Sequence, residues 1–304
     1  MILGRVKCDF FTFNATLVWR NRKNIVNLQS KYLNVMGMFK NNHSIDSDTR
    51  SLISKRYKTI TKAINGNFWF SDSETNHSRY VGSYGRCTAI NVSDIDVLFE
   101  LPNREYEHFK SLSGNGPSRL LQAVKSAIKD TYSRTDIHGD GQVVVVNFSD
   151  GMKFEILPAF RKLDYWGDWD GTYIYPDSNM GGNWLSTQPK AEQDAMAEKN
   201  DYWNTNGLLF DTCKHIRYLR SEYFSSYHLS GILIDSFVYS AIGGWHWTRE
   251  NEQGGNGNGV SYERSLLDYY DSHYRWMVFA PGSGSKVDGR DWDVLGKVLK
   301  RMAQ

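Results

Sequence analysis

Two neighbouring stretches are the most informative part of this chain: Val81-Gly82-Ser83-Tyr84-Gly85-Arg86 and, shortly after it, Ser93-Asp94-Ile95-Asp96-Val97-Leu98. Side chains alternate between the two faces of a β-strand, so Asp94 and Asp96 are expected to project together while their apolar neighbours enter a core. Two adjacent carboxylates repel each other unless a cation or a proton lies between them. Backbone N–H groups of the Gly-Ser turn suit an anion such as phosphate. The stretch therefore predicts a site for a metal-bound nucleotide.

A third acid is expected beside this pair. Residues 143–146 are an unbroken β-branched run, which is typical of a buried central strand. The turn at 149–151 predicts a hairpin with a strand at 152–157, on which Lys153 and Glu155 share a face. Taken alone, Asp-x-Asp is more often a solvated strand end, and Gly-Ser is more often an ordinary turn. Together with Glu155, and in this order, the motifs favour a functional site.

The composition is typical of a globular protein that dissolves in water: 40% of the 304 residues are hydrophobic and 23% are charged. No apolar run approaches the length of a membrane span, and the first residues lack the apolar region of a signal peptide. The three cysteines are scattered, without metal-ligand spacing. We therefore expect a cytoplasmic, reduced protein without a zinc site or a membrane segment.

The order of the expected elements predicts an α+β fold with two lobes and a boundary near residue 184. In the first lobe, Ser47 or Asp48 is expected to cap a long amphipathic helix that Asn65-Gly66 ends. The polar, aromatic and Gly-rich stretch 164–182 predicts a long loop, and the Gly/Asn tract 254–259 predicts a flexible one. The second lobe is expected to be helical, with helices at Ala191–Asn200, Leu208–Tyr223, His228–Ile242, Tyr262–Tyr274 and Trp292–Met302.

The three acids suit nucleotidyl transfer, a reaction that depends on positioning and charge neutralisation more than on covalent help from the protein. Two Mg²⁺ ions about 3.5–4 Å apart can activate an attacking hydroxyl and stabilise a leaving pyrophosphate. Mg²⁺ prefers hard oxygen ligands and keeps several waters, so a few carboxylates suffice. Asp94, Asp96 and Glu155 are thus the candidate catalytic and metal-binding residues, with Mn²⁺ as an acceptable substitute for Mg²⁺.

The combined motifs resemble those of the DNA polymerase β-like nucleotidyltransferase superfamily. Within it, the fuller motifs are similar to the bacterial cGAS/DncV-like nucleotidyltransferases (CD-NTases), relatives of animal cyclic GMP-AMP synthase and oligoadenylate synthase. The similarity runs from about Arg50 to the C-terminus, and Arg56-Tyr-Lys-Thr-Ile60 and Asn65-Gly-Asn-Phe-Trp69 look most like clade G. The segments that carry it are Tyr80-Val-Gly-Ser-Tyr-Gly-Arg86, Thr88-Ala-Ile90, Ser93-Asp-Ile-Asp96, Phe154-Glu-Ile-Leu-Pro-Ala-Phe160 and Ser225-Ser-Tyr-His-Leu229.

The resemblance implies a domain organisation and a metal site. Residues 1–184 would be a polymerase β-like nucleotidyltransferase core, and residues 185–304 would be a helical domain like the C-terminal domain of oligoadenylate synthase. The active site would lie in the cleft between them. Asp94, Asp96 and Glu155 would hold two Mg²⁺ ions. Most relatives have aspartate at the third position, so Glu155 is a departure that keeps the charge but lengthens the side chain.

The resemblance also implies the residues that bind nucleotides. Gly82 and Ser83 would contact the donor triphosphate, and Lys214 would neutralise phosphate charge as a point cation. Ser226 would add a hydrogen bond to phosphate, and Tyr227 would stack on a nucleobase. From the residues alone, Lys214 is equally well explained as a solvated helix lysine, and Tyr227 is better explained by ordinary packing at the end of a helix.

The function that the resemblance implies is synthesis of a cyclic oligonucleotide second messenger from NTPs. The similarity to clade G makes a cyclic GMP-AMP, formed from ATP and GTP, the best single product. By resemblance, the messenger would activate a separate effector in an anti-phage system of the CBASS type, which can include accessory proteins. Basic residues concentrate before Gly66. They could contact nucleic acid, but the solvated face of a helix is the favoured explanation, so nucleic acid is not a required partner.

Two other functions are compatible with parts of this pattern. One is transfer of a nucleotide onto an antibiotic, a protein or a tRNA end, which needs the three acids but no second base. The other is a catalytically silent sensor of nucleotides or nucleic acids, against which the intact Asp94, Asp96 and Glu155 argue.

Overall fold

The computed structural model describes residues 43, 45–90, 94–249, 252–254, 259–273 and 277–304. Residues His43–Gln304 form one compact unit. Residues 1–42 lie outside the described part. So does most of the 254–259 tract, where the sequence predicts a flexible loop. No described helix combines the length and the apolar character that crossing a bilayer requires.

A sheet of seven strands forms the centre of this unit: β1 (Ser78–Tyr80), β2 (Asp94–Glu100), β3 (Asp136–Asp140), β4 (Val143–Asn147), β5 (Lys153–Leu163), β6 (Trp169–Asp177) and β7 (Asn183–Thr187). The order is β1-β2-β5-β4-β3, and β6 and β7 continue from β5. β2 and β5 run parallel, whereas the other neighbours are antiparallel. The predicted β4–β5 hairpin and the α+β fold are confirmed.

Helices cover the sheet in the first half of the chain: α1 (Ser47–Phe68), α2 (Gly82–Gly85), α3 (Asn103–Ser111) and α4 (Gly116–Lys129). The apolar stripe of α1, including Ile53, Ile60 and Ile64, is fully buried. It packs in one cluster with Leu120 and Val124 of α4, which are equally buried. The helical period of the sequence thus produces the core that supports β2 and β5.

The ends of α1 differ from the prediction. Asp46, not Ser47 or Asp48, caps the helix, because its carboxylate accepts from the Thr49 backbone N–H at 2.8 Å. Asn65 does not stop the helix, which continues to Phe68. The Asn65 side chain is buried and donates to the carbonyls of Ser73 and Asn76, so the loop after the helix satisfies its amide while Asn65 itself stays helical.

The prediction of a long loop at 164–182 is wrong. β5 extends to Leu163, and β6 pairs with it from Trp169 onward. The turn between them is short because the Asp164 carboxylate accepts from the backbone N–H groups of Trp166 and Asp168, both at 2.9 Å. Tyr173 is buried on β6. The polar and glycine residues around it conceal this strand at the level of sequence.

The second half is helical as expected, with α5 (Pro189–Asn200), α6 (Leu208–Tyr223), α7 (Gly231–Ala241), α8 (Tyr262–Ser272) and α9 (Trp292–Met302). Two small strand pairs accompany these helices: His246–Trp247 with Gln253–Gly254, and Val278–Phe279 with Lys286–Val287. α7 begins at Gly231 rather than at His228, because the Asp291 carboxylate accepts from His228 and from the Ser230 backbone N–H. The domain boundary at 184/185 stays a prediction.

The two cysteines of the described part differ in state. Cys213 is free and buried on α6, and burial raises the pKa of its thiol. Cys87 is disulfide-bonded, which contradicts the expectation of an entirely reduced chain. The sequence offered no sign of this bond, because scattered cysteines do not reveal their pairing.

Candidate active site

The parallel pair β2–β5 brings the three candidate acids together. In its register, Asp94 lies opposite Lys153, and Asp96 lies opposite Glu155. Neighbouring strands are about 4.8 Å apart, so side chains opposite each other on one face are within reach of a common partner. The intervening residues Ile95 and Phe154 point into the core and are fully buried. Strand alternation therefore places all four charged side chains on the other face.

Lys153 lies between two of the acids. Its ammonium Nζ is 2.9 Å from Asp94 Oδ1 and 2.7 Å from Glu155 Oε1. The hydrogen bonds to these carboxylates raise the pKa of Lys153. The sequence places Lys153 on the same face as Glu155 but does not by itself indicate a role for it. Its position two residues before Glu155 on the same strand was the available signal.

Asp96 is partly buried, whereas Asp94 is exposed. Burial, and next the nearby Glu155 carboxylate, raises the pKa of Asp96 to about 6, although the Arg86 guanidinium opposes this shift. The Asp96 carbonyl accepts from the Val81 backbone N–H at 2.9 Å. This bond joins β2 directly to the start of the Gly-Ser segment.

The Gly-Ser segment is a four-residue helix, α2, and not the simple turn that the sequence predicts. A Cβ atom on Gly82 would lie 1.8 Å from Asp96 Oδ2, and Gly82 has a φ of +58°. No side chain fits in this space, so the backbone of Gly82 approaches the Asp96 carboxylate closely. The Ser83 carbonyl accepts from the backbone N–H of Thr88 at 2.9 Å, which closes the segment.

Alanine at Gly82 is expected to lower formation of the expected nucleotide product about 100-fold, because the new methyl group must displace the Asp96 carboxylate. Displacements of about 1 Å in an active site have effects of this size. The positive φ would also cost about 1–2 kcal/mol of stability. Gly114→Ala is the matched control, since Gly114 has a φ of +85° but no atom within 4 Å of the added Cβ. We expect both variants to lose similar stability in thermal unfolding. Equal activities would contradict the proposed contact.

A buried ion network joins this segment to the C-terminal helices. Arg86, at the C-terminus of α2, donates from Nε to Asp235 Oδ2 at 2.8 Å, and Arg217 of α6 donates to Asp235 Oδ1 at 2.7 Å. Thr88 donates to the same carboxylate at 3.0 Å. Asp235, on α7, is fully buried. Although burial alone would raise it, the two guanidiniums hold the pKa of Asp235 down to about 2.

Ser226 and Tyr227 lie in the exposed turn that follows α6. Arg220 holds this turn by donating from both Nε and a terminal nitrogen to the Tyr227 carbonyl, at 2.9 and 2.6 Å. The Lys297 ammonium of α9 lies 4.2 Å from the centre of the Tyr227 ring. The Tyr227 side chain is 45% exposed, so it is positioned by a cation while much of its ring surface faces solvent.

Lys214 lies on α6, about one turn before Arg217, the network residue of that helix. Burial lowers the pKa of Lys214, and Asp211 partly offsets this effect. The side chain is therefore not the fully solvated helix lysine that the sequence alone allowed. Its role toward phosphate, like the roles of Gly82, Ser83, Ser226 and Tyr227 toward nucleotides, stays a prediction.

The first two thirds of the chain contain a region that matches a known protein domain. Residues 31–200 match the model of the SMODS domain, the Second Messenger Oligonucleotide or Dinucleotide Synthetase domain. The match spans more than half of the chain. The chain belongs to the SMODS family. It is a nucleotidyltransferase of the bacterial CD-NTase type, as the motifs predicted. The assignment to clade G stays a prediction.

Solved structures show the same fold as this SMODS protein at low sequence identity. The CdnE cyclic dinucleotide synthase of Elizabethkingia meningoseptica, with GTP and Apcpp, is 14% identical with a TM-score of 0.58, over 81% of this chain and 89% of that one. The CdnG CD-NTase of Bradyrhizobium diazoefficiens, with GTP, is 11% identical with a TM-score of 0.57, over 88% of each chain. The STING-associated CdnE c-di-GMP synthase of Capnocytophaga granulosa is 12% identical with a TM-score of 0.59, over 91% of each. No curated protein matches significantly.

The acids of this SMODS protein fit a hard divalent cation by their chemistry. All three offer carboxylate oxygens, the ligands that Mg²⁺ prefers. The Lys153 ammonium between Asp94 and Glu155 demonstrates that this position accepts a cation. Within the described residues, no three ligating side chains surround a single metal position. The three side chains thus suit Mg²⁺ by their chemistry, and in this structure two of them, Asp94 and Glu155, contact the Lys153 ammonium.

Proposed function

We propose that this nucleotidyltransferase joins NTPs into a cyclic oligonucleotide second messenger in a Mg²⁺-dependent reaction. The observation that carries the proposal is the grouping of Asp94, Asp96 and Glu155 on one face of β2 and β5 against the Gly82 backbone. It occurs in a chain of the SMODS family. A cyclic GMP-AMP made from ATP and GTP is our proposed product.

The three acids would hold the metal ions. Bound Mg²⁺ would supply charge neutralisation at the triphosphate and acidify the attacking ribose hydroxyl. The Gly82–Ser83 backbone, which lies against Asp96, would orient the donor triphosphate relative to that carboxylate. Lys214 would add positive charge from α6, although burial lowers the pKa of this lysine.

The turn after α6 would hold the nucleobase. Arg220 and Lys297 fix the backbone and the ring of Tyr227 before any ligand binds, so little conformational entropy is lost when a base stacks on it. Ser226 would donate its hydroxyl to a phosphate oxygen. The Arg86–Asp235–Arg217 network would keep this turn in register with α2.

One active site would act twice. In each step, an acceptor ribose oxygen forms a bond to the α-phosphorus of the donor, the bond to pyrophosphate breaks, and the hydroxyl proton passes to solvent. The linear intermediate would then turn within the site, and its remaining hydroxyl would close the ring. Two pyrophosphates leave for each cyclic dinucleotide.

The named ligands of the related structures support NTP substrates. The CdnE structure contains GTP and Apcpp, and the CdnG structure contains GTP. We further propose that the messenger activates a separate effector in a CBASS-type anti-phage system in the bacterial cytoplasm, with accessory proteins as additional partners.

The test is incubation of the protein with all four NTPs and Mg²⁺, followed by mass spectrometry of the nucleotide products. We expect a cyclic dinucleotide containing adenine and guanine, which disappears with EDTA. A product with other bases would correct the product and leave the reaction class intact. A protein that forms no phosphodiester-linked nucleotide and instead labels an added acceptor would overturn the proposal.

Alanine at Tyr227 is expected to raise the KM for NTP about ten- to hundredfold, the range for loss of one base-stacking aromatic side chain. Tyr227→Phe should retain near-normal KM, since stacking needs the ring and not the hydroxyl. The matched control is Tyr223→Ala. Tyr223 is 52% exposed and lies under Arg301, as Tyr227 lies under Lys297. Steady-state kinetics that show the same KM for both alanine variants would remove Tyr227 from the site.

A further inference from the structure

Lys153 has the geometry of a cation built into the candidate metal site. It begins β5 and lies opposite Asp94 in the parallel register, two residues before Glu155. Its ammonium contacts Asp94 Oδ1 and Glu155 Oε1 at distances typical of strong, charge-assisted hydrogen bonds, 2.9 and 2.7 Å. A lysine side chain is a compact point charge on a flexible stem, so it can fill such a position and leave it.

The contacted oxygens belong to two of the three acids that are proposed to hold the divalent ion. Each carboxylate oxygen has a limited number of lone pairs, and the ammonium occupies one on each of two acids. Asp96, the third acid, lies opposite Glu155 and so shares the same charged face. With Lys153 present, the local charge of the three carboxylates is partly neutralised. Without a cation, the three would repel one another.

The position is also reachable from solvent. The side chains of Lys153, Glu155 and Asp94 are 32%, 28% and 52% exposed. An incoming ion could therefore reach the carboxylates, and the released ammonium could be hydrated without crossing the protein interior. A fully buried lysine would not offer this exchange.

We propose that Lys153 stabilises the metal-free site as an internal counter-ion and that divalent metal binds there by displacing its ammonium from Asp94 and Glu155. The inference rests on the proposed function for its relevance to catalysis, but the binding step itself requires no nucleotide. Its consequence is that Lys153 raises the metal concentration at which the site is half occupied.

The test measures Mn²⁺ binding to the full chain without nucleotide, by the EPR signal of free Mn²⁺. Lys153→Met removes the charge and nearly preserves the length. We expect it to bind Mn²⁺ at least about tenfold more tightly, because the metal no longer competes with the charge-assisted contacts of Lys153 to Asp94 and Glu155. Lys153→Arg retains the charge and should bind no more tightly than the wild type. Lys162→Met, an exposed lysine on the same strand, is the matched control and should leave the affinity unchanged.

If Lys153→Met folds poorly, two further measurements test the displacement of the Lys153 ammonium. Lys153→Gln also removes the charge and should show the same gain in affinity. In the wild type, amine acylation followed by mass spectrometry should label Lys153 faster when Mn²⁺ is added, while labelling of Lys162 stays constant. The proposal is overturned if Mn²⁺ leaves the labelling of Lys153 unchanged, or if neither the wild type nor any of the variants binds Mn²⁺.

The outcomes separate this inference from the proposed function. Tighter Mn²⁺ binding by Lys153→Met in a protein that forms no nucleotide product would support the displacement and overturn the synthase activity. Normal product formation with equal Mn²⁺ affinity in the wild type and Lys153→Met would overturn the displacement alone.

Discussion

Asparagine in place of Asp96 is expected to lower product formation by about three orders of magnitude, while the unfolding temperature of the metal-free protein stays constant or rises. A metal ligand contributes several kcal/mol of charge stabilisation in the transition state, and each 1.4 kcal/mol is about tenfold in rate. The folded protein, by contrast, disfavours this charge, since burial and Glu155 raise the pKa of Asp96 to about 6. A neutral amide of the same shape relieves that repulsion.

The measurements are initial rates of nucleotide product formation with Mg²⁺ and thermal unfolding in EDTA. Asp72→Asn is the control, because the Asp72 side chain is 95% exposed and its carboxylate lies 3.9 Å from the Lys62 ammonium, a long contact. A purely structural Asp96 would show the reverse pattern, a lower unfolding temperature together with more than about a tenth of the wild-type rate.

Alanine in place of Asp235 is expected to cost about 3–5 kcal/mol of unfolding free energy, the largest stability loss that we predict for one side chain. Removing one partner of a buried ion pair leaves the opposite charge uncompensated in a low-dielectric interior. Here the Arg86 and Arg217 guanidiniums both contact the lost carboxylate, and the Arg86 side chain is only 8% exposed. Product formation should fall as well, since Arg86 anchors the C-terminus of α2.

Chemical denaturation followed by circular dichroism measures this loss. Asp268→Ala is the matched control. Asp268 pairs with Arg264 on the surface of α8 with both side chains more than half exposed, so about 0.3–0.5 kcal/mol is expected. A comparable loss in both variants would show that the buried network is no stronger than a surface pair.

The difference in unfolding free energy between the wild type and Asp235→Ala should depend on pH in a defined direction. The folded pKa of Asp235, about 2, lies below the ordinary value of 3.8, so its charged form stabilises the fold. This contribution is complete above the unfolded pKa and is lost as the pH falls through the folded pKa. The difference should stay constant from about pH 8 to about pH 5 and shrink below about pH 4. A constant difference down to pH 2 would contradict it.

Local patterns were sufficient for much of the fold. The apolar stripe of α1 has the helical period, and the run at 143–146 is β-branched, so both elements follow from propensity and periodicity. Local patterns gave the wrong prediction where a tertiary contact overrode a local preference. Asn65 continues its helix because a neighbouring loop satisfies its amide, and β6 forms because β5 pairs with it despite its glycine and aspartate residues.

The sequence alone determined which side chains share a face, because strand alternation is a property of the backbone. Asp94 and Asp96 follow from it, and so do Lys153 and Glu155. Only the tertiary structure decided that these two pairs meet, because the parallel register of β2 and β5 joins segments far apart in the chain. The same holds for the contact of Asp235 with Arg86. Contacts between distant segments depend on the packing of the whole core, which no local period encodes.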